Sequence, residues 1–234
     1  MSESVALFQA IQAGDAATVT DLIEARADLL SAESPSGLSP LLFAAYYHRP
    51  HMAALLIELG APVSVFEAAA AGAEDRLHAA LEADPELLHA VSPDGFSLLG
   101  LCAFFGHSLL AQTLLNLGAD VNTVSRNAMQ VTPLHSAAAG SHAPLLHLLL
   151  AAGADPNAVQ HGGYTPLHSA AQNGQAELVH ALLQSGADPE ARTEEGQTAL
   201  KLAQENLHPG VAALLSGEAP DGGESCGGAN INSM

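Results

Sequence analysis

Short apolar stretches alternate with polar, turn-forming stretches along most of the chain. Residues 176–185 predict an amphipathic helix, because their apolar side chains recur at the spacing of one helical face. These side chains are Leu178, Val179, Leu182 and Leu183. Gly186 would end this helix as a left-handed C-cap, and Thr165 followed by Pro166 predicts the start of a shorter helix before it. The pattern therefore indicates pairs of short helices joined by turns.

Two sequence motifs recur with a fixed period. Residues 131–139 are VTPLHSAAA and residues 164–172 are YTPLHSAAQ, so Thr132 and Thr165 are 33 residues apart. A third copy, TALKLAQ, begins another 33 residues later at Thr198. The second motif, Gly-Ala-Asp, begins at Gly118, Gly153 and Gly186. A fixed period of this length indicates a repeat protein, in which each unit is one supersecondary element.

These motifs closely resemble the ankyrin repeat, whose TPLHxAA and LLxxGADxN elements they match almost letter for letter. The resemblance implies an all-α fold, an ankyrin-repeat solenoid of about seven helix-turn-helix units with short projecting hairpins. It also implies a non-catalytic module that binds a partner protein through its concave face and hairpin tips. Each unit of such a solenoid buries its apolar face against its neighbours, which accounts for an apolar content of 48% without a membrane span.

The glycine between the two helices of each unit extends the series toward the N-terminus. This alignment predicts one array over residues 1–216, with repeats that begin near residues 5, 39, 63, 97, 132, 165 and 198. The second repeat is short, so its hairpin is expected to be missing. Residues 5–63 match residues 63–121 at an offset of 58, which indicates duplication of a two-repeat block, with convergence as the alternative. Residues 217–234 are Gly-rich and acidic and predict a disordered tail.

The charge excludes several classes of partner. The chain has 6 Lys and Arg residues against 25 Asp and Glu residues, which gives a net charge of −19. It therefore lacks a basic patch for nucleic acid or for anionic membrane lipids. No stretch approaches the roughly 18 apolar residues of a membrane span, and the N-terminus lacks the pattern of a secretory signal. With only Cys102 and Cys226 as cysteines, the sequence predicts a soluble cytoplasmic protein.

Twelve histidines raise the alternative of a His-rich protein that binds or senses a divalent metal. The resemblance implies that His135 and His168, in the TPLH motifs, bond the backbone of the adjoining loop. The histidines closest in sequence, such as His48 and His51, lack the i, i+4 spacing of a helical metal pair. No nucleophile or phosphate-loop motif is present, so an enzyme with an unrecognised site is the less favoured alternative. We predict no catalytic residue, metal ligand or cofactor.

Aromatic side chains give the strongest indication of a binding surface. Four of the nine aromatic residues fall at the ends of predicted first helices, at the same offset of 58, where other repeats have mostly small or polar residues. Exposed aromatic rings beside a concave groove are typical anchors of an interface, and packing under the neighbouring second helix is the alternative. The predicted partner-binding residues are Tyr46, Tyr47, Phe104 and Phe105, together with Arg126, Met129, His161 and Tyr164 at the hairpin tips.

The acidic residues are concentrated in the flanks of the chain. Residues 95–187 have a net charge of −2, whereas residues 1–94 have −11 and residues 188–234 have −6. A partner with an apolar patch rimmed by Lys or Arg would fit such a surface, and the acidic field would speed its approach. The chain is expected to be a monomer.

Overall fold

The computed structural model of the chain describes residues 3–35 and 37–217. Within these residues the chain forms fourteen α-helices and no strand, in seven consecutive pairs, which confirms the all-α prediction. The first helices of the pairs are α1 (Glu3–Ala13), α3 (Pro40–Tyr46), α5 (Val65–Ala71), α7 (Leu98–Phe105), α9 (Pro133–Ala139), α11 (Pro166–Gln172) and α13 (Ala199–Glu205). The second helices are α2 (Ala16–Ala25), α4 (Pro50–Glu58), α6 (Glu74–Ala83), α8 (Ser108–Asn116), α10 (Ala143–Ala151), α12 (Ala176–Gln184) and α14 (Pro209–Ser216). The tail predicted for residues 217–234 lies outside the described residues, except for Gly217.

The first helices stack on one another more closely than the second helices do. Small side chains permit this approach, because one alanine on each of four consecutive first helices is fully buried between its neighbours. These alanines are Ala69, Ala103, Ala138 and Ala171. The stack therefore bends toward the first helices, which form the inner side of the solenoid.

Ser or Thr caps the first helix of repeats two to seven, at the predicted residue in every one of them except repeat three. Repeat three begins its helix after Ser64 and not after Val63, because valine has no side-chain acceptor for the free N–H groups of the first turn. Ser64 forms a capping box with Glu67, whose Oε2 accepts the Ser64 N–H at 2.8 Å. The other oxygen of Glu67 accepts the Ser39 hydroxyl, which ties repeat three to repeat two.

Hydrogen-bonded turns connect successive repeats, and we call them fingers. They comprise residues 92–96, 125–131, 160–164 and 193–197, and in the turn before α3 the Ser34 N–H donates to Leu38 O at 2.9 Å. Neighbouring fingers are joined through their backbones, since Arg126 N–H donates to Gly95 O at 2.7 Å and His161 N–H donates to Met129 O at 3.0 Å. Residues 59–64, all of which are described, connect α4 to α5 without such a turn. Repeats two and three therefore meet without the backbone contacts that fingers provide elsewhere.

The apolar core is divided at this same junction. One buried cluster extends from Leu7 to Ala61, and a larger one extends from Val65 to Val211. Partly buried Val63 packs against both clusters. The boundary between the two buried clusters therefore falls at the junction of repeats two and three.

We expect this division to appear in native-state hydrogen exchange. Amides of α3 and α4 should open with a free energy at least about 1.4 kcal/mol below that of α9 and α10, because the cluster that holds α3 and α4 is the smaller of the two and can open separately. Exchange measured at low denaturant concentrations reports this difference directly. Equal opening free energies in the two pairs of helices would contradict a division of the core.

Candidate partner-binding surface

Three aromatic rings from two different repeats form one cluster. Tyr46 ends α3, and Phe104 and Phe105 end α7; the Tyr46 ring centroid lies 6.0 Å from that of Phe104 and 5.1 Å from that of Phe105. The rings meet across repeat three, because α5 has the small residues Ala70 and Ala71 at the equivalent positions. We call Tyr46, Phe104 and Phe105 the aromatic bridge. It links repeats two and four over the junction at which the core is divided.

The aromatic bridge faces the fingers and has a carboxylate at its edge. All three rings are half-buried, and the Tyr46 hydroxyl lies 3.4 Å from Oδ2 of the exposed Asp94 in the finger of residues 92–96. Burial raises the pKa of Tyr46, and the Asp94 charge raises it further, so the hydroxyl stays protonated and donates to the carboxylate. The surface thus combines partly exposed apolar rings with one negative charge.

Tyr47 lies in a different cluster from Tyr46. Its ring centroid is 4.4 Å from that of Phe43, which in turn lies 4.9 Å from that of Phe8. Tyr47 is nevertheless 43% exposed. Phe105 also packs against the larger core cluster, which is the packing role considered as the alternative for these aromatic residues.

The four predicted fingertip residues lie on two adjacent fingers, and three of them are exposed. Arg126, Met129 and His161 are all exposed, and Met129 is exposed by 52%. Tyr164 is half-buried at the base of its finger, where its ring centroid lies 5.7 Å from that of His168. The structure therefore leaves Arg126, Met129 and His161 exposed on these two fingers, joins Met129 to His161 through their backbones, and places Tyr164 within the stack.

A row of side chains that the sequence did not single out for binding ties repeats two, four, five and seven to the repeat before each. Each residue stands at the N-cap of the second helix of its repeat. Its side chain donates to a backbone carbonyl oxygen near the end of the first helix of the preceding repeat. The bonds join Arg49 Nε to Gln12 O at 3.0 Å, His107 Nε2 to Ala70 O at 2.9 Å, His142 Nε2 to Phe104 O at 3.0 Å and His208 Nε2 to Gln172 O at 3.1 Å. A carbonyl can only accept, so Nε2 of each imidazole holds the proton. We call these residues the staples.

The imidazole staples require glycine at one position of the preceding repeat. Gly72 and Gly106 adopt φ values of +73° and +82°, and a Cβ added there would lie 2.7 Å from His107 and 2.6 Å from His142. Gly174 shows the same close approach, at 2.5 Å, to His208. Each ring therefore occupies the space that any side chain at the left-handed position would need.

Where the left-handed residue is not glycine, the staple differs. His48 in repeat two has a φ of 51°. The staple position of repeat three holds Ala73, whose side chain cannot reach a carbonyl. Ser141 has a φ of 61° and is followed by Gln175, whose amide donates to the Ser141 hydroxyl. In the sequence the only signal for a staple is its place directly after the left-handed residue of its own repeat.

The two TPLH histidines are structural. His135 Nδ1 accepts the Thr132 N–H at 3.3 Å, and its Nε2 donates to Tyr164 O at 3.2 Å. Burial lowers the pKa of His135 to about 4, so the ring is neutral near pH 7. His168 makes the same bonds, and burial lowers its pKa as well. Both rings have their nitrogens engaged by the backbone.

The remaining titratable groups form no reactive constellation in the part of the chain that the structure describes. No group of three or more His, Cys, Asp or Glu side chains there could hold a metal ion. His147 Nε2 lies 3.9 Å from Glu177 Oε1 on the second-helix side, where both side chains are exposed. Burial raises the pKa of the Cys102 thiol to about 12, which makes it a poor nucleophile.

Comparisons with known proteins agree with this architecture. A search of curated proteins found no match. None of the helices in residues 3–35 and 37–217 is long and apolar enough to cross a membrane. A family model described as ankyrin repeats (3 copies) matches residues 65–160 and 140–224, which is more than half of the chain. The chain therefore belongs to the ankyrin-repeat family.

Proposed function

We propose that this protein binds a partner protein through the inner side of its solenoid, without catalysis. The aromatic bridge supplies the apolar anchor, and the tips at Arg126, Met129 and His161 form part of the rim. The family supports this proposal, because ankyrin repeats generally serve as protein interaction modules. The observation that carries it is the gathering of three partly exposed rings that face the fingers. Aromatic residues of this kind dominate the energetics of many interfaces.

The partner proposed for this surface has an apolar patch rimmed by Lys or Arg. Asp94 stands at the edge of the bridge, with one oxygen bonded to the Ser92 hydroxyl and the other to Tyr46. The two acidic flanks add a long-range attraction for a basic partner, which salt weakens. The free thiol of Cys102 suits a reducing compartment, so we place this interaction in the cytoplasm.

Binding by the aromatic bridge is tested with paired variants of the full-length chain. Phe104→Ala removes part of the apolar anchor and Asp94→Lys reverses the charge at its edge. We expect each variant to lower the recovery of the partner at least about tenfold, in line with the loss of one anchor residue. Quantitative mass spectrometry after affinity purification measures the recovery.

Leu109→Ala is the matched control, because Leu109 is 77% exposed at the start of α8 and lies outside the bridge. This control should recover the partner as well as the unmodified chain does. Thermal unfolding of each variant shows whether the fold is retained. If Phe104→Ala and Asp94→Lys stay folded and recover every partner undiminished, the bridge is not the binding surface.

A further inference from the structure

The carboxylate of Asp94 is held in a fixed position beside the aromatic bridge. Its Oδ1 accepts the Ser92 hydroxyl, and its Oδ2 lies 3.4 Å from the Tyr46 hydroxyl. The backbone at this residue is fixed as well, since Asp94 O accepts the side-chain amide of Asn127 from the next finger at 3.0 Å. The carboxylate is therefore preorganised, and a partner that binds it does not have to order it first.

The negative charge of Asp94 is not balanced by a cation of the chain itself. Asp94 is exposed in the finger of residues 92–96. All six Lys and Arg residues lie in the described part of the chain, and none of them forms a salt bridge with Asp94. Each carboxylate oxygen has two lone pairs, so Oδ1 and Oδ2 can each accept one further hydrogen bond. The carboxylate can therefore receive a cation from a partner.

The packing of the three rings favours a flat cation over a round one. The Phe105 ring meets Tyr46 edge to face and meets Phe104 in the same way, with centroids 5.1 Å apart in both pairs. Rings in such contact leave no space between them for an ammonium group that carries methyl groups. A guanidinium is planar, stacks on a single aromatic face, and presents parallel N–H groups to a carboxylate. Because the rings are only half-buried, part of the bridge remains open to such stacking.

We propose that the aromatic bridge and Asp94 together form a site for an arginine side chain of the partner protein. The guanidinium stacks on the exposed side of the bridge and donates two N–H groups to the Asp94 carboxylate. A lysine is less suited, because its ammonium is strongly hydrated and the rings supply no acceptors for its three N–H groups. This inference rests on the proposed function and specifies the group that the partner places in the bridge.

The direct test is a titration of isotopically labelled full-length protein with acetyl-Leu-Arg-Leu-amide, followed through the amide resonances. We expect saturable shifts centred on Tyr46, Asp94 and Phe104, with a dissociation constant of about 5 mM or lower. The matched citrulline peptide has a planar, uncharged urea group in place of the guanidinium. It should bind at least about tenfold more weakly, because the charge-assisted pair is lost. Equal binding of the two peptides, or no saturation by about 20 mM, would overturn the proposal.

A matched pair of variants tests the charge on the protein. Asp94→Asn keeps the size of the side chain and an acceptor for Tyr46 but removes the charge. It should weaken binding of the arginine peptide at least about tenfold and leave the citrulline peptide unchanged. Asp21→Asn makes the same change at an exposed residue of α2 and should leave both peptides unchanged. Equal losses in the two folded variants, or no loss in Asp94→Asn, would show that Asp94 does not bind the arginine.

Two further peptides distinguish arginine from the other cations that a protein can present. The versions with lysine and with trimethyllysine should each bind at least about threefold more weakly than the arginine peptide. If either binds as tightly as the arginine peptide, the assignment of arginine is wrong. The proposed function is tested separately, because Phe104→Ala reports recovery of the partner whatever cation it carries. Lower recovery in Phe104→Ala together with equal binding of the arginine and citrulline peptides would retain the binding surface and overturn the arginine site.

Discussion

Replacing Gly106 with alanine is expected to lower the free energy of unfolding by about 3 kcal/mol. Two effects combine at this position. Gly106 has a φ of +82°, a conformation that costs an alanine about 1–2 kcal/mol. The new Cβ would also lie 2.6 Å from Cε1 of His142, so the ring must move and its bond to Phe104 O is strained or lost. Urea unfolding monitored by circular dichroism measures the change.

Gly14 provides the matched control for this substitution. It occupies the same position in repeat one, with a φ of +79°, but no atom lies within 4 Å of the added Cβ. Gly14→Ala should therefore show the conformational effect alone, about 1–2 kcal/mol. Combining Gly106→Ala with His142→Ala should destabilise by less than the sum of the two single changes, because the clash disappears. Equal losses in Gly14→Ala and Gly106→Ala would contradict the role of the staple.

Acidification from pH 7 to pH 5 is expected to lower the free energy of unfolding by about 2 kcal/mol through His135 alone. The folded-state pKa of His135 is about 4, below the ordinary value of 6.5, because the buried ring is neutral. Between these values the unfolded chain binds a proton that the folded chain does not, so stability falls as the pH falls. The pKa values of His107 and His168 are lowered by burial too, and both act in the same direction.

His135→Gln separates this effect from the rest of the titration. The variant should be less stable than the unmodified chain at pH 7, since it loses a bond of the Thr132 cap. It should also lose less stability on going to pH 5, because glutamine does not titrate. Stopping at pH 5 keeps most carboxylates ionised in both states. Parallel losses in the two proteins, measured by urea unfolding at each pH, would show that His135 does not titrate as its burial requires.

The helix pairs could be predicted from the sequence because their signals are local. Thr132 and Thr165 cap helices whose Pro and His residues follow at fixed positions, so the motif contains the whole first turn. The start of repeat three near residue 63 was less sharply determined, since Val63 occupies the motif position and Ser64 supplies the cap. Local propensity therefore predicts that a helix forms here, and the capping chemistry of Ser64 determines the residue at which it begins.

The contacts between repeats were not predictable in the same way. The offset of 58 pointed to Tyr46 and Phe104 together, but only the small size of Ala70 explains how rings two repeats apart can touch. The adjacent Tyr47 turns toward Phe43, a direction that no local pattern specifies. The staples depend on the backbone conformation of another repeat, so no single motif reveals them. That the aromatic bridge and the fingertips bind a partner protein stays a prediction.

Each N-cap side chain must fit the left-handed residue of the preceding repeat. This requirement limits how repeats of this protein can be exchanged with repeats of another. The positions that contact each other are 72 with 107, 106 with 142, 141 with 175 and 174 with 208. Each pair begins one residue before the previous pair ends, so any crossover between residues 72 and 208 separates at least one pair. A chimaera keeps its junction only when donor and recipient agree at both positions. The unit that can be exchanged is therefore the interface between two repeats, and a library of swapped repeats should be filtered by that interface.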